Sequence, residues 1–219
     1  MIKVLPSSNP EKEDNLLQYA KSLEDLGVEY LHCDVMDGKF VEAKCLSYET
    51  LKLVRDNCNI LLDIHLMVED VFENVKKFAS LKPSIITIHL EALKSFGQFK
   101  KIAKFLKERD ILVGLSIKPN TNVHNVFKYL NYIDLILIMS VEPGKSGQKF
   151  IDGSLERIKD IATLCAGKDI LIEVDGGVNL ENAHSIIDSG AKFLVMGSAF
   201  YNEKNKKKLL NSIDKHYKI

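Results

Sequence analysis

The sequence predicts an α/β fold of the (β/α)8 TIM-barrel class, and three observations predict it. Short runs of Ile, Val and Leu alternate with longer amphipathic segments from one end of the chain to the other. Those runs are apolar almost throughout, as strands buried on both faces are. There are eight of them, and regular strand–helix alternation implies parallel strands joined by right-handed crossovers. Shared over 219 residues, this gives about 27 residues per unit, near the lower limit for such a barrel. The rival is an open doubly wound sheet, whose signal is G-x-G-x-x-G after the first strand. Here the first strand runs into PSSNPEKED instead.

In order, the expected strands are 2–6, 29–34, 60–65, 84–89, 111–116, 134–139, 169–174 and 192–197. The expected helices are 11–26, 48–57, 70–80, 92–109, 122–130, 152–164, 180–188 and 203–215. No linker or shift in composition divides the chain, so residues 1–219 are expected to form a single barrel domain. The Lys-rich stretch Lys204 to Lys208 reads as a solvated helix face.

Composition limits the function classes. Thirty Lys+Arg balance thirty Asp+Glu, without the basic excess of a general nucleic-acid binder. Cys33, Cys45, Cys58 and Cys165 form no C-x-x-C pair and are too sparse for a disulfide scaffold, which fits a reducing compartment. MIKVLPSSNPEKED lacks an apolar run of signal-peptide length, and no 18-residue apolar stretch occurs. The expectation is a cytoplasmic protein with no membrane or nucleic-acid partner.

A barrel of this kind carries its active site at the C-terminal ends of the strands. The polar residues near those ends are Ser7, His32, Asp34, Asp37, His65, His89, Glu91, Ser140 and Asp175. Alternation puts His32, Asp34 and Met36 on one face, Asp63, His65 and Met67 on another, and Glu173 with Asp175 on a third. If these faces point inward, His32, Asp34, His65 and Asp175 converge at the mouth. Two imidazoles and two carboxylates suit zinc, iron, manganese or cobalt. A hydrogen-bonded polar layer inside the barrel is the competing reading.

Gly176–Gly177 follows the seventh run and Gly197–Ser198 the eighth. Loops at those places hold phosphate in many barrels, because glycine lets backbone N–H groups approach an anion closely. Tight turns alone would also explain them. Gly144-Lys145-Ser146-Gly147-Gln148 after the sixth run is either a lid or an ordinary loop.

LHCDVMDGKF (31–40), DIHLMV (63–68), VEPGKSGQKF (141–150) and EVDGG (173–177) resemble the signatures of the ribulose-phosphate 3-epimerase family. GLSIKP (114–119) and GSAFY (197–201) fit as well, and the resemblance runs from VLPSS to GSAF. It implies a barrel that interconverts D-ribulose 5-phosphate and D-xylulose 5-phosphate at C3. It also implies one divalent metal ion per chain, held by His32, Asp34, His65 and Asp175, with Asp34 and Asp175 as acid and base. Ser7 and His65 would touch the substrate, and Met36, Met67 and Met139 would line the site. Its phosphate would lie against Gly176, Gly177, Val178, Gly197, Ser198 and the loop Gly144, Lys145, Ser146, Gly147. The implied partner is a small sugar phosphate; a homo-oligomer is compatible and left open.

The chain departs from the family pattern in two loops. Lys39-Phe40-Val41-Glu42-Ala43 stands where HFVPN is usual, and Pro143-Gly144-Lys145-Ser146-Gly147-Gln148 where PGFGGQ is usual. Neither touches a proposed ligand or acid/base. Ser146 costs about 1–2 kcal/mol if the closed lid needs a left-handed backbone there. Lys145 is either a point charge for the phosphate or a solvated side chain. The alternative functions are a 3-epimerase of a six-carbon ketose phosphate such as allulose 6-phosphate, and a non-catalytic sugar-phosphate-binding barrel. The related decarboxylase and hexulose-phosphate synthase group carries D-x-K-x-x-D, and Asp63-Ile64-His65-Leu66-Met67-Val68 has no lysine.

Overall fold

The structure, a computed structural model, describes residues 2–214. Its strands are β1 (Lys3–Pro6), β2 (Tyr30–Asp37), β3 (Lys44–Cys45), β4 (Leu61–Met67), β5 (Ile85–His89), β6 (Leu112–Ile117), β7 (Leu135–Met139), β8 (Leu171–Asp175) and β9 (Phe193–Met196). They form one sheet in the order β1-β9-β8-β7-β6-β5-β4-β2-β3. The β2–β3 pair is antiparallel and every other named pair is parallel. Ser7 bridges in parallel to His32, and Ser8 N donates to the His32 carbonyl at 2.8 Å. This joins β1 to β2 and closes eight parallel strands into a barrel.

The helices are α1 (Leu16–Asp25), α2 (Tyr48–Asn57), α3 (Val71–Ala79), α4 (Phe96–Lys107), α5 (Ser154–Leu164), α6 (Ala183–Asp188), α7 (Ser198–Tyr201) and α8 (Lys206–Asp214). Apolar stripes such as Val71, Val75, Phe78 and Ala79 of α3 pack on the outside of the ring. Inside the ring, Leu5, Ile85, Leu135, Leu137 and Phe193 make a second apolar cluster. Burying both faces of each strand is what makes the runs continuously apolar.

Several expected boundaries shift for local reasons. Residues 122–130 form a 3-10 helix over Val123–Tyr129, not an α-helix. Asn122 caps it by accepting from His124 N at 2.9 Å, and Val, Asn, Phe and Tyr inside it are poor helix formers. The segment expected as 92–109 begins α4 only at Phe96, because Ser95 caps it by accepting from Gln98 N at 3.1 Å; Leu90–Ala92 is a separate 3-10 turn. The first helix opens with a 3-10 turn over Glu13–Asn15. Expected helix 152–164 starts at Ser154, after Gly153 in the left-handed region, and 180–188 starts at Ala183. Of expected helix 203–215, residue 215 lies outside the described residues and α8 begins at Lys206. β3 and α7 were not expected, since two residues and a single turn carry no periodicity. β2 and β4 run on to Asp37 and Met67, which puts Met36 and Met67 at the ends of paired strands.

No helix among the described residues is long and apolar enough to cross a membrane.

Candidate active site

Parallel register assembles the polar floor. β2 pairs with β4 so that His32 lies beside Asp63, Asp34 beside His65 and Met36 beside Met67. β7 pairs with β8 so that Met139 lies beside Asp175. β8 stands three places from β2 around the closed ring, by way of β9 and β1. Even so, one ligating atom from each of His32, Asp34, His65 and Asp175 falls within 4.8 Å of the other three. The first three are buried and Asp175 is half-buried.

Each group of this quartet is aimed by neighbours. Ser7 Oγ donates to Asp34 Oδ2 at 2.9 Å, and Ser7 Oγ accepts from Asn9 N at 3.0 Å. His32 Nδ1 lies 2.6 Å from Asp63 Oδ2, leaving Nε2 buried with no hydrogen-bond partner, 3.3 Å from Asp34 Oδ1. His65 Nδ1 lies 3.2 Å from Asp34 Oδ1. Ser140 Oγ donates to the carbonyls of Asp175 and Gly176 at 3.0 and 2.7 Å, fixing the end of β8. Asp37, by contrast, accepts from the backbone of Lys39, Phe40 and Glu69 and serves the loop rather than the quartet.

The two aspartates differ in proton affinity. Burial works against ionisation of Asp34, but His32 and His65 overcome it and hold that carboxyl well below its usual range. Burial and the charge of Asp34 push Asp175 up to about 6. Below about pH 6 one is therefore ionised while the other holds a proton. Beneath them Glu173 is raised well above its usual value by burial and by Asp63. His32 would lose its proton on burial alone, yet Asp63 and Asp34 raise it well above its ordinary value. Burial lowers His89 to about 4.

The donor set suits a divalent ion. A buried imidazole nitrogen with no partner, beside two carboxylates and a second imidazole, is a costly arrangement unless a proton or a cation sits among them. Asp63 takes the Nδ1–H of His32 and so directs its other nitrogen to the quartet, the usual outer arrangement of a metal-ligating histidine.

Above the quartet lies a cavity of about 540 Å³, its open mouth included. Ser7, Asp34, Met36, Met67, Met139, Asp175, Gly176, Gly177, Val178, Gly197, Ser198 and the Gly144–Gly147 loop all line it. His65 and His32 do not line it; they sit buried beneath. The glycines after β8 are sterically required. A Cβ on Gly177, which has φ 65°, would overlap the backbone N of Phe150, and one on Gly176 would run into Val141. A Cβ on Gly197 would instead make ordinary van der Waals contacts, 3.7 Å from Pro10 Cγ, 3.8 Å from Ser146 Oγ and 3.9 Å from Ser7 Cβ.

The lid segment adopts a bent path stapled by Gln148, whose Nε2 donates to the carbonyls of Glu142 and Lys145 at 2.6 and 2.9 Å. Gly144 and Gly147 take the positive φ values, 109° and 77°; Ser146 does not, so it carries no left-handed strain in this conformation. Lys145 and Ser146 are exposed. Asn9, Glu142, Gln148 and Ala199 also line the cavity, and of these the sequence singles out Gln148 alone, as the last residue of the candidate lid. Asn9 follows Ser7 by two residues, a spacing from which it can be found; Glu142 lies on irregular backbone and Ala199 in the single turn of α7, neither with a pattern to read.

Fold and site define a (β/α)8-barrel protein with a two-histidine, two-aspartate centre beside a glycine-lined pocket. The family model described as "Ribulose-phosphate 3 epimerase family" matches residues 3–201, and the chain belongs to that family. It is 36% identical over 216 residues to "Ribulose-phosphate 3-epimerase" of Bacillus subtilis, covering 97% of this chain and 98% of that protein. It is 33% identical over 206 residues to the chloroplastic ribulose-5-phosphate-3-epimerase of Arabidopsis thaliana, covering 93% and 73% respectively. Among solved structures, a 3-hexulose-6-phosphate synthase matches with a TM-score of 0.73 at 12% identity, over 97% of this chain and 98% of that one. A mutant tryptophan synthase α-subunit from Pyrococcus furiosus gives 0.68 at 13% identity, over 98% and 97%. At such identities these two report the barrel alone.

Proposed function

We propose that this protein interconverts D-ribulose 5-phosphate and D-xylulose 5-phosphate by inverting C3, with Asp34 and Asp175 as the acid/base pair. Inversion beside a ketone needs a proton removed from one face and another delivered to the opposite face. In one direction Asp34 takes the C3 proton, the C–H electron pair becomes a C2=C3 double bond while the carbonyl π pair moves onto its oxygen to give an enediolate, and Asp175 returns a proton to C3 from the other side as the carbonyl reforms. The reverse direction exchanges their roles. Each positioned group is worth about 10²–10⁴-fold in rate. Ser7 fixes one oxygen of Asp34, and Ser140 fixes the backbone that carries Asp175.

His32, Asp34, His65 and Asp175 would hold one divalent ion, of zinc, iron, manganese or cobalt type, which supplies Lewis-acid stabilisation of the enediolate charge. Met36, Met67 and Met139 close the site with apolar surface, buried to within 3%, which strengthens electrostatic interactions by keeping water out. Backbone N–H groups of the Gly176–Val178 and Gly197–Ser198 segments suit a phosphate, whose binding energy fixes C3 between the carboxylates.

One observation carries the reading. Two carboxylates from well-separated strands meet within 4.8 Å on the floor of one cavity, with unlike proton affinities. Purified protein with a divalent ion should convert ribulose 5-phosphate to xylulose 5-phosphate. Faster turnover of allulose 6-phosphate would replace the pentose by the hexose substrate. Binding of both sugars without exchange of the C3 hydrogen would leave a sugar-phosphate-binding barrel.

A further inference from the structure

His89 and Glu91 end the β5 run, and the proposed reaction gives neither a task. His89 is fully buried, and its Nε2 lies 2.9 Å from His65 Nε2. Its Nδ1 lies 3.2 Å from Glu91 Oε2. Glu91 Oε1 accepts from Lys118 N at 2.8 Å and from Thr121 Oγ1. The segment that supplies those donors is held in turn by Arg157, whose Nη1 and Nη2 donate to the carbonyls of Thr121 and Lys118 at 2.9 and 3.0 Å.

This chain of contacts has a direction. Burial works against ionisation of Glu91, but the bonds from His89, Thr121 and Lys118 N overcome it and hold the carboxyl at about 2. An ionised carboxylate only accepts. His89 therefore donates its Nδ1–H to Glu91, which leaves its Nε2 to accept across the 2.9 Å contact with His65. The hydrogen between the two imidazoles then belongs to His65 Nε2. That leaves the lone pair of His65 on Nδ1, the nitrogen that faces Asp34 and the quartet. Reversing the chain would place a hydrogen on Nδ1 and remove it as a ligand.

We propose that Glu91, acting through His89, is a positioning residue that sets the tautomer of His65 and so keeps its Nδ1 free for the metal ion. The proposal rests on the metal reading above. It makes the end of β6 part of what supports the centre, through Lys118 N. Outer partners of this kind typically alter metal affinity by 10–100-fold.

Glu91→Gln is the test. The amide oxygen can still accept from Lys118 N and Thr121 Oγ1, while its NH2 faces His89 Nδ1 and reverses the chain. The expected result is a Co(II) dissociation constant raised about 10–100-fold, measured by chelator competition on folded protein. In the Zn(II)-loaded wild type, 15N NMR should place the His65 hydrogen on Nε2. Two further variants separate positioning from simple support. His89→Gln supplies a side-chain carbonyl that accepts directly from His65 Nε2, so Co(II) affinity should stay within about threefold of wild type. Adding Glu91→Gln to it should change little, because the two act as one unit. Thr121→Val loosens the same segment without touching His89 and should leave the dissociation constant unchanged. Equal affinity in Glu91→Gln and wild type, or loss in Thr121→Val as large as in Glu91→Gln, overturns the positioning role. Failure of the wild type itself to bind Co(II) at one per chain would instead overturn the metal reading and this role with it.

Discussion

The floor of the site and its rim are built on different principles. The floor, His32, Asp34, His65 and Asp175, sits on three strands whose register and burial leave those side chains little freedom. The rim, Gly144–Gln148 with Gly176–Val178 and Gly197–Ser198, is backbone, and part of it stands in solvent. Chemistry that needs atoms held to fractions of an ångström is placed on strands. Anion binding, which any approaching N–H can serve, is placed on loops. The family departures in this chain fall on the second kind of region and leave the first intact. Damage to the floor should therefore appear in turnover, and damage to the rim in substrate affinity.

The largest effects belong to the floor. Asp34→Asn and Asp175→Asn should each lower turnover in both directions by at least about 10²–10⁴-fold, with metal content determined in the same samples. A variant that keeps its metal and near-normal turnover would remove that residue from the acid/base pair. Chelation should abolish activity and a divalent ion restore it. The ion must also displace the proton that Asp63 and Asp34 favour on His32, so metal affinity should rise with pH. Affinity independent of pH between 5 and 8 would contradict that competition.

Next comes the backbone rim. Gly177→Ala forces a Cβ onto Phe150 N at a positive φ, costing about 1–2 kcal/mol for the left-handed backbone alone. It should raise KM for the sugar phosphate far more than it lowers kcat, and free D-ribulose should remain a very poor substrate for both proteins. Comparable kcat/KM for the phosphorylated and free sugars would count against a phosphate site.

The metal-free floor should also show its proton in stability. Asp175 has a folded pKa of about 6 against an ordinary 3.8. The native state therefore binds more protons than the unfolded state between those values, and stability falls as pH rises through them. Asp175→Asn removes this penalty. It should stabilise the metal-free protein by roughly 2–3 kcal/mol above pH 6 and hardly at all below pH 4, read from denaturant titrations. An equal gain at both pH values would mean that the ordinary packing of asparagine, not the proton, is responsible.

The smallest effect is expected at Lys145, exposed on the stapled lid. Lys145→Ala should change KM by no more than about fivefold at low salt, within the reach of one solvent-screened charge. A larger effect that vanishes at high salt would bring this side chain onto the phosphate and make the rim more than backbone.

The same contrast explains what the sequence reveals. His32, Asp34 and Met36, or Glu173 and Asp175, can be assigned to one face because strand alternation has a period of two and both faces are buried. No such period marks Glu142, whose place depends on the path of irregular backbone. β3 and α7 escaped for the same reason, being shorter than any period. The 3-10 helix over Val123–Tyr129 misled because its apolar spacing resembles a helical one while its residues favour tighter or extended backbone. His89 and Glu91 were visible as polar strand-end residues, but their connection to His65 depends on β5 lying beside β4, which only the folded ring supplies.

The central claim is that each epimer loses its C3 hydrogen to its own aspartate. It is tested most directly by exchange in deuterated water, using metal-loaded Asp34→Asn and Asp175→Asn with ribulose 5-phosphate and xylulose 5-phosphate separately. Each variant should exchange the C3 hydrogen of one epimer and not of the other, and the two variants should show opposite preferences. Exchange of both epimers by either variant would mean that a single base serves both faces, and would contradict the account.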